Sequence, residues 1–242
     1  MNKKIIFIGG TSRSGSTLLD LILANDNKGM SLGEIHYLFH PIRKHNFSEL
    51  EKLNKDKIWS KILKDGKKIL YQNLIKCFPQ IDIFVDSSKD PFWFKYHEKF
   101  KTADYDIINV LIYKTPEELA NSFIKRGKKS ECIRTFLHYH KKYFSLIKNF
   151  HIISYKDLVT NDSCIKILCE KIGIKYFEEK KNYWEQPQPT FFGSNSVRSY
   201  NSQYSKSQLT DIERRVVNYK EINDEEIAKY VNSALEKNPE VL

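Results

Sequence analysis

The chain has 242 residues, 13% of them aromatic and 29% charged, and a formal net charge of +10. That length suits one large α/β domain spanning residues 1 to 242, and the apolar mass is enough to fold it, so nothing suggests a disordered chain. No window approaches the roughly 18 consecutive apolar residues of a membrane span, and the run IIFIGG is too short for a signal-peptide core. A cytoplasmic protein with no membrane span is therefore expected.

In chain order, four short runs rich in Ile, Val and Phe read as strands: residues 4–9 (KIIFIG), 81–86 (IDIFVD), 107–113 (IINVLIY) and 150–155 (FHIISY). Continuous apolar runs of this kind suit a parallel sheet buried on both faces. Helical spacing fills the intervals at 16–25, most of 34–76, 91–100, 116–127, 130–148 and 161–172, and two further helices close the chain near 207–219 and 223–236. The alternation predicts a three-layer α/β/α fold around a central, mainly parallel sheet. In such folds ligands bind at the carboxyl ends of the strands, so the informative residues should follow each strand directly.

The first strand runs into GGTSRSGST, where Gly10, Gly15, Ser16 and Thr17 match the spacing of a phosphate-binding loop but place Ser16 where the lysine belongs. That lysine reaches the outer phosphates of a nucleoside triphosphate, so its replacement argues against such a ligand. The backbone N–H groups of Ser12, Arg13, Ser14, Gly15, Ser16 and Thr17, at the positive end of the next helix, still make an anion site. Arg13 adds a permanent planar charge inside the loop.

The other strand ends are also polar. The second runs into DSSKDPF, where a turn-and-cap role explains Asp86, Ser87 and Ser88. The third runs into KTPEELANSFIKR and the fourth into YKDL. After residue 180 comes a long stretch rich in Asn, Ser, Gln, Pro and aromatic residues, which reads as an ordered flap. The lysine-rich segment 51–76 reads as an amphipathic surface helix or helix pair, and no nucleic-acid partner is expected from it. The four cysteines form no C-x-x-C pair, and no His, Cys or carboxylate cluster has metal-ligand spacing, so no metal is expected.

Taken together, these segments resemble the sulfotransferases that use 3′-phosphoadenosine 5′-phosphosulfate, in the style of the tyrosylprotein sulfotransferases and their bacterial relatives. SRSGSTLL resembles the family's 5′-phosphosulfate loop, LGEIH its acidic motif, SKDPF its lysine motif, SYKDLV its Tyr-Glu-x-Leu-Val element and GSNSVRS its Gly-Asn-x-x-Arg segment. After the third strand the family carries an arginine, a serine eight residues on and an arginine four later; here these are Lys114, Ser122 and Arg126. The resemblance implies a sulfotransferase core of the P-loop type. It also implies a 5′-phosphate on residues 12–17, a 3′-phosphate on Lys114, Ser122 and Arg126, and donor contacts from Tyr155 and Arg198. The lysine at 114 lacks the bidentate fork of the family's arginine.

For the transfer, Glu34 is the candidate general base and His36 the runner-up, while Arg13 and Lys89 would stabilise charge on the sulfonate and the leaving phosphate. A carboxylate is a weak base for an alcohol but can accept a proton that becomes acidic late in a loose transfer. The acceptor expected is a hydroxyl on a small molecule, a glycan or a lipid-linked compound, shaped by segment 36–76 and the flap. Two other functions fit parts of the pattern. A P-loop kinase of a small metabolite would need Mg²⁺ and a lysine at position 16, and a nucleotide- or RNA-binding module without catalysis would rest on the net charge.

Overall fold

The computed structural model describes residues 2–124, 132–185, 190–194 and 197. Five strands, β1 (Lys3–Gly9), β2 (Gly29–Gly33), β3 (Ile83–Asp86), β4 (Tyr105–Tyr113) and β5 (His151–Ser154), form one sheet in the order β2-β3-β1-β4-β5. Every pair is parallel. Around it lie α1 (Ser16–Ala24), α2 (Lys44–Leu53), α3 (Lys57–Asp65), α4 (Leu70–Cys77), α5 (Pro91–Glu98), α6 (Pro116–Ile124), α7 (Cys132–Leu146), α8 (Tyr155–Thr160) and α9 (Ser163–Ile172). The α/β fold expected from the sequence is the one observed.

Period-two alternation along β1 divides the core into two layers. Ile6 and Ile8 pack with α1, α8 and α9, and Ile5 and Phe7 face α4, α5 and α7. All four side chains are fully buried, as a central strand covered on both faces requires. The chain passes from β1 to β2 and β3 on one side, then crosses to β4 and β5 on the other. This reversal places a crevice at the carboxyl ends of β1 and β4, the position where open α/β sheets take ligands.

Three elements differ from the sequence reading. The strand β2, GMSLG, has two glycines and no β-branched residue; its pairing with β3 makes it a strand, with a register shift between Ser31 and Gly33. The segment read as mostly helix over 34–76 is broken into α2, α3 and α4. Asp56 caps α3 by accepting from the Ile58 and Trp59 N–H groups, and Gly66 ends it at φ 81°. The third is α8: Ser154 accepts the Asp157 N–H at 2.9 Å and turns the end of β5 directly into a helix. The C-terminal end of the helix read at 116–127, the N-terminal end of that read at 130–148, and both closing helices lie outside the described residues. Among the described residues no helix is long and apolar enough to cross a membrane, and all four cysteines are free.

Two carboxylates lie wholly inside, beneath the loops at the carboxyl edge. Asp86 accepts from the Tyr71 hydroxyl at 2.6 Å, the Trp93 indole N–H at 2.9 Å and the Ser88 N–H at 2.7 Å. Asp20, in the middle of α1, accepts from the Ser87 hydroxyl at 2.6 Å, and burial pushes its pKa from 3.8 up to about 7. Between those values the unfolded chain has lost a proton that the fold keeps, so the Asp20 contribution to stability falls as pH rises from about 4 to about 7. Asp20→Asn removes that titration. The stability of the variant relative to wild type is expected to rise across this window by up to about 1.4 kcal/mol per pH unit and to level off above it. Denaturant melts of both proteins at a series of pH values check this, and a constant difference contradicts it.

Candidate active site

The loops that follow β1, β2, β3 and β4 converge on one cleft of about 560 Å³. The first supplies Ser12, Arg13, Gly15, Ser16 and Thr17. Gly15 has φ 101°, and a β-carbon there would press on the ring of Tyr155 at 2.5 Å, so both its conformation and its space demand glycine. As the N-cap of α1, Gly15 offers no side chain to the first turn. The positive end of α1 therefore opens on the cleft with its leading N–H groups uncapped by a side chain.

From the end of β2 comes Glu34, whose N–H donates to the Phe191 carbonyl at 2.7 Å. It does not share a regular helix with His36; it precedes a short 3-10 helix, Ile35–Leu38. From the end of β3 comes Lys89, which forms a close ion pair with Glu34. Both side chains are mostly buried, at 17% and 16% exposure. From the end of β4 comes Lys114, whose Nζ lies over the Tyr155 ring at 4.0 Å from its centre. Arg43 and His45, at the start of α2, also line the cleft. Arg13, Arg43, Lys89 and Lys114 thus face a single carboxylate, Glu34, and the site favours anions.

Backbone strain concentrates on the same walls. Among the described residues, Arg13 (φ 75°), Lys89 (φ 64°) and Phe192 (φ 60°) are the non-glycine residues in left-handed conformations, and all three line the cleft. Such a conformation costs roughly 1–3 kcal/mol per residue and persists only where neighbours hold it. Tyr139 of α7 is one such neighbour. Its buried hydroxyl accepts the Gly10 N–H at 2.7 Å and donates to the Lys89 carbonyl at 2.8 Å, which ties the loop after β1 to the loop after β3. On the opposite side the Ser194 N–H donates to Thr17 Oγ1 at 3.1 Å, so the described part of the flap is fastened to the same loop.

Of the residues singled out in the sequence, Ser12, Arg13, Gly15, Ser16, Thr17, Glu34, Lys89, Lys114 and Tyr155 come together here. Ser14 is buried behind the loop, where its N–H donates to the Thr11 carbonyl at 3.2 Å. Ser122 is half-buried on α6 and is not among the lining residues. Arg126 and Arg198 lie outside the described residues. His36 packs against Tyr37, with ring centres 3.8 Å apart, and burial, reinforced by Lys89 and His40, lowers its pKa to about 3. Ser87 and Ser88 serve the fold: Ser87 donates to Asp20, and the Ser88 hydroxyl accepts the His36 N–H at 3.3 Å. Among the described residues no group of His, Cys, Asp and Glu side chains is arranged to hold a metal ion.

Sequence reasoning missed Arg43, His45 and Tyr139. A signal for the first two was present, since RKH at a helix start puts cations against the positive end of the helix dipole, where they cost stability unless something else uses them. Tyr139 had none, because its role depends on two loops distant in sequence. Replacing it by phenylalanine leaves the Gly10 N–H and the Lys89 carbonyl without their partner. Tyr139→Phe is expected to lower the unfolding free energy by about 1–3 kcal/mol in denaturant melts; unchanged stability contradicts the bridging role.

No family model and no curated protein matches the sequence. Among solved structures, the sulfotransferase domain from the curacin biosynthetic pathway is similar over 90% of this chain and 98% of its own, with 17% identity and a TM-score of 0.57. The sulfotransferase domain from the Synechococcus PCC 7002 olefin synthase is similar over 96% of this chain and 94% of its own, with 14% identity and a TM-score of 0.62. The described residues have the α/β fold of these sulfotransferase domains.

Proposed function

We propose that the chain transfers a sulfonate group from 3′-phosphoadenosine 5′-phosphosulfate to the hydroxyl of an acceptor. The observation that carries this reading is the cationic cleft at the uncapped end of α1, which offers several anion contacts but has serine where a triphosphate loop has lysine. The fold shared with sulfotransferase domains supports it.

In this reading the loop over residues 12–17 holds the 5′-phosphate through those of its N–H groups that face the cleft, the Ser14 N–H being turned to the Thr11 carbonyl, while Lys114, Ser122 and Arg126 hold the 3′-phosphate and Tyr155 and Arg198 are further donor ligands. Arg43 and His45 add positive charge in the same cleft. The donor supplies an activated sulfur whose bond to the 5′-phosphate oxygen breaks as the acceptor oxygen bonds to it. Lys89 and Arg13 hold the negative charge left on the phosphate. Glu34 takes the acceptor proton. Before the donor arrives, Lys89 and Glu34 neutralise each other; sulfonate oxygens that compete for the lysine would free the carboxylate for this step. The low pKa of His36 makes it a poor proton acceptor at neutral pH and favours Glu34 as the base. Charge neutralisation by Arg13, Lys89 and Lys114 supports transfer without a metal. A single domain over residues 1–242 and a cytoplasmic location, consistent with four free cysteines, complete the reading.

Two substitutions test the roles through the rate of 3′,5′-bisphosphate release from the donor. Lys89→Ala is expected to lower kcat by about 10² to 10³ with donor affinity little changed, the usual loss of a preorganised charge donor. For Glu34→Gln the expected fall is about 10² to 10⁴. Turnover near the wild-type rate in the lysine variant would end its catalytic assignment, and the same result for the glutamate variant would move the base elsewhere.

A further inference from the structure

A second cleft, of about 590 Å³, shares Ser12, Tyr37 and Lys89 with the first, so the two meet at the lysine. One of its walls is α7. Arg134, His138 and Lys142 stand along that wall four residues apart, which puts them in a row on one helix face at steps of about 6 Å. Arg134 and His138 are exposed to solvent. Lys142 is 31% exposed and lies between the Phe92 ring, 4.0 Å from its centre, and Asp90 Oδ1 at 3.9 Å. Asp90 is the one carboxylate among the lining residues, and it is also engaged as the cap of α5, where it accepts the Phe92 N–H at 3.0 Å. The far wall of this cleft is therefore net positive while its near end is the Lys89 corner.

We infer that this second cleft receives the acceptor, and that the acceptor carries an anionic group, a carboxylate or a phosphoryl ester, held by Arg134 and Lys142 while its hydroxyl reaches Lys89 and Glu34. The inference rests on the sulfotransferase reading, since it takes the first cleft as the donor site. It adds the acceptor's chemical class. Cationic side chains in excess along an open cleft select for a charged partner because each ion pair formed there is lost with a neutral analogue.

Two measurements separate this inference from the reading beneath it. Calorimetric titration with 3′,5′-bisphosphoadenosine tests the donor site alone, and no binding would refute the donor assignment. Sulfonation is then followed with matched acceptors: hydroxy acids against their methyl esters, and sugar phosphates against the free sugars. Wild type is expected to prefer the anionic member of at least one series by about 10- to 100-fold in kcat/KM, the range of one charge-assisted hydrogen bond. The series that shows the preference tells carboxylate from phosphoryl. Arg134→Gln, alone and with Lys142→Gln, is expected to reduce the preference about tenfold or more, and Arg134→Lys to retain most of it. If the bisphosphate binds but no anionic acceptor is used, or neutral acceptors are used equally well, or the preference survives in the double variant, the inference is overturned and the donor assignment stands.

Discussion

A parallel strand covered on both faces has no place for polar chemistry along its length. In β1 the four residues Ile5, Ile6, Phe7 and Ile8 are fully buried, so every polar function of the chain near the sheet centre is pushed to the loops at the carboxyl edge. The crossing from one side of β1 to the other then opens a crevice at that edge, between the ends of β1 and β4. The loop after β1, Glu34, Lys89 and Lys114 meet there because the topology leaves them nowhere else to converge.

Holding those loops in place is the work of groups that touch no ligand in this reading. Asp20 and Asp86 anchor the turn at 86–88 from below, and Tyr139 joins Gly10 to Lys89 from the side. These contacts over-determine loops whose backbones are strained at Arg13 and Lys89. A site aimed at an anion gains from such rigidity, since its charges need not reorganise when the ligand arrives. The ion pair between Lys89 and Glu34 serves the same end by keeping both side chains at the corner where the two clefts meet.

Much of this was legible from local signals. Apolar runs gave four of the five strands, and the glycine spacing after β1 marked the loop, because both depend on residues close together in sequence. The fifth strand, β2, was not legible, since GMSLG becomes a strand only through its partner β3. A helix pair within 51–76 was legible from its amphipathic spacing, while the exact breaks, at Asp56 and Gly66, were readable in principle but not placed. Glu34, Lys89 and Lys114 were named from the sequence and lie in one cleft. Arg43 and Tyr139 escaped because their contribution is made through space, by a helix start and a hydroxyl that act on loops far away in the chain.

In the proposed reading the cationic cleft is built for a 3′,5′-bisphosphate nucleotide and not for a triphosphate. A thermal-shift comparison of 3′,5′-bisphosphoadenosine, ADP, and ATP with Mg²⁺ tests it directly. At about 100 times its dissociation constant a ligand adds roughly 2.7 kcal/mol of stability, which raises Tm by about 5 to 10 °C for a chain of this size. A shift of that size with the bisphosphate alone is the predicted result; a shift confined to ATP with Mg²⁺ would contradict the sulfotransferase reading.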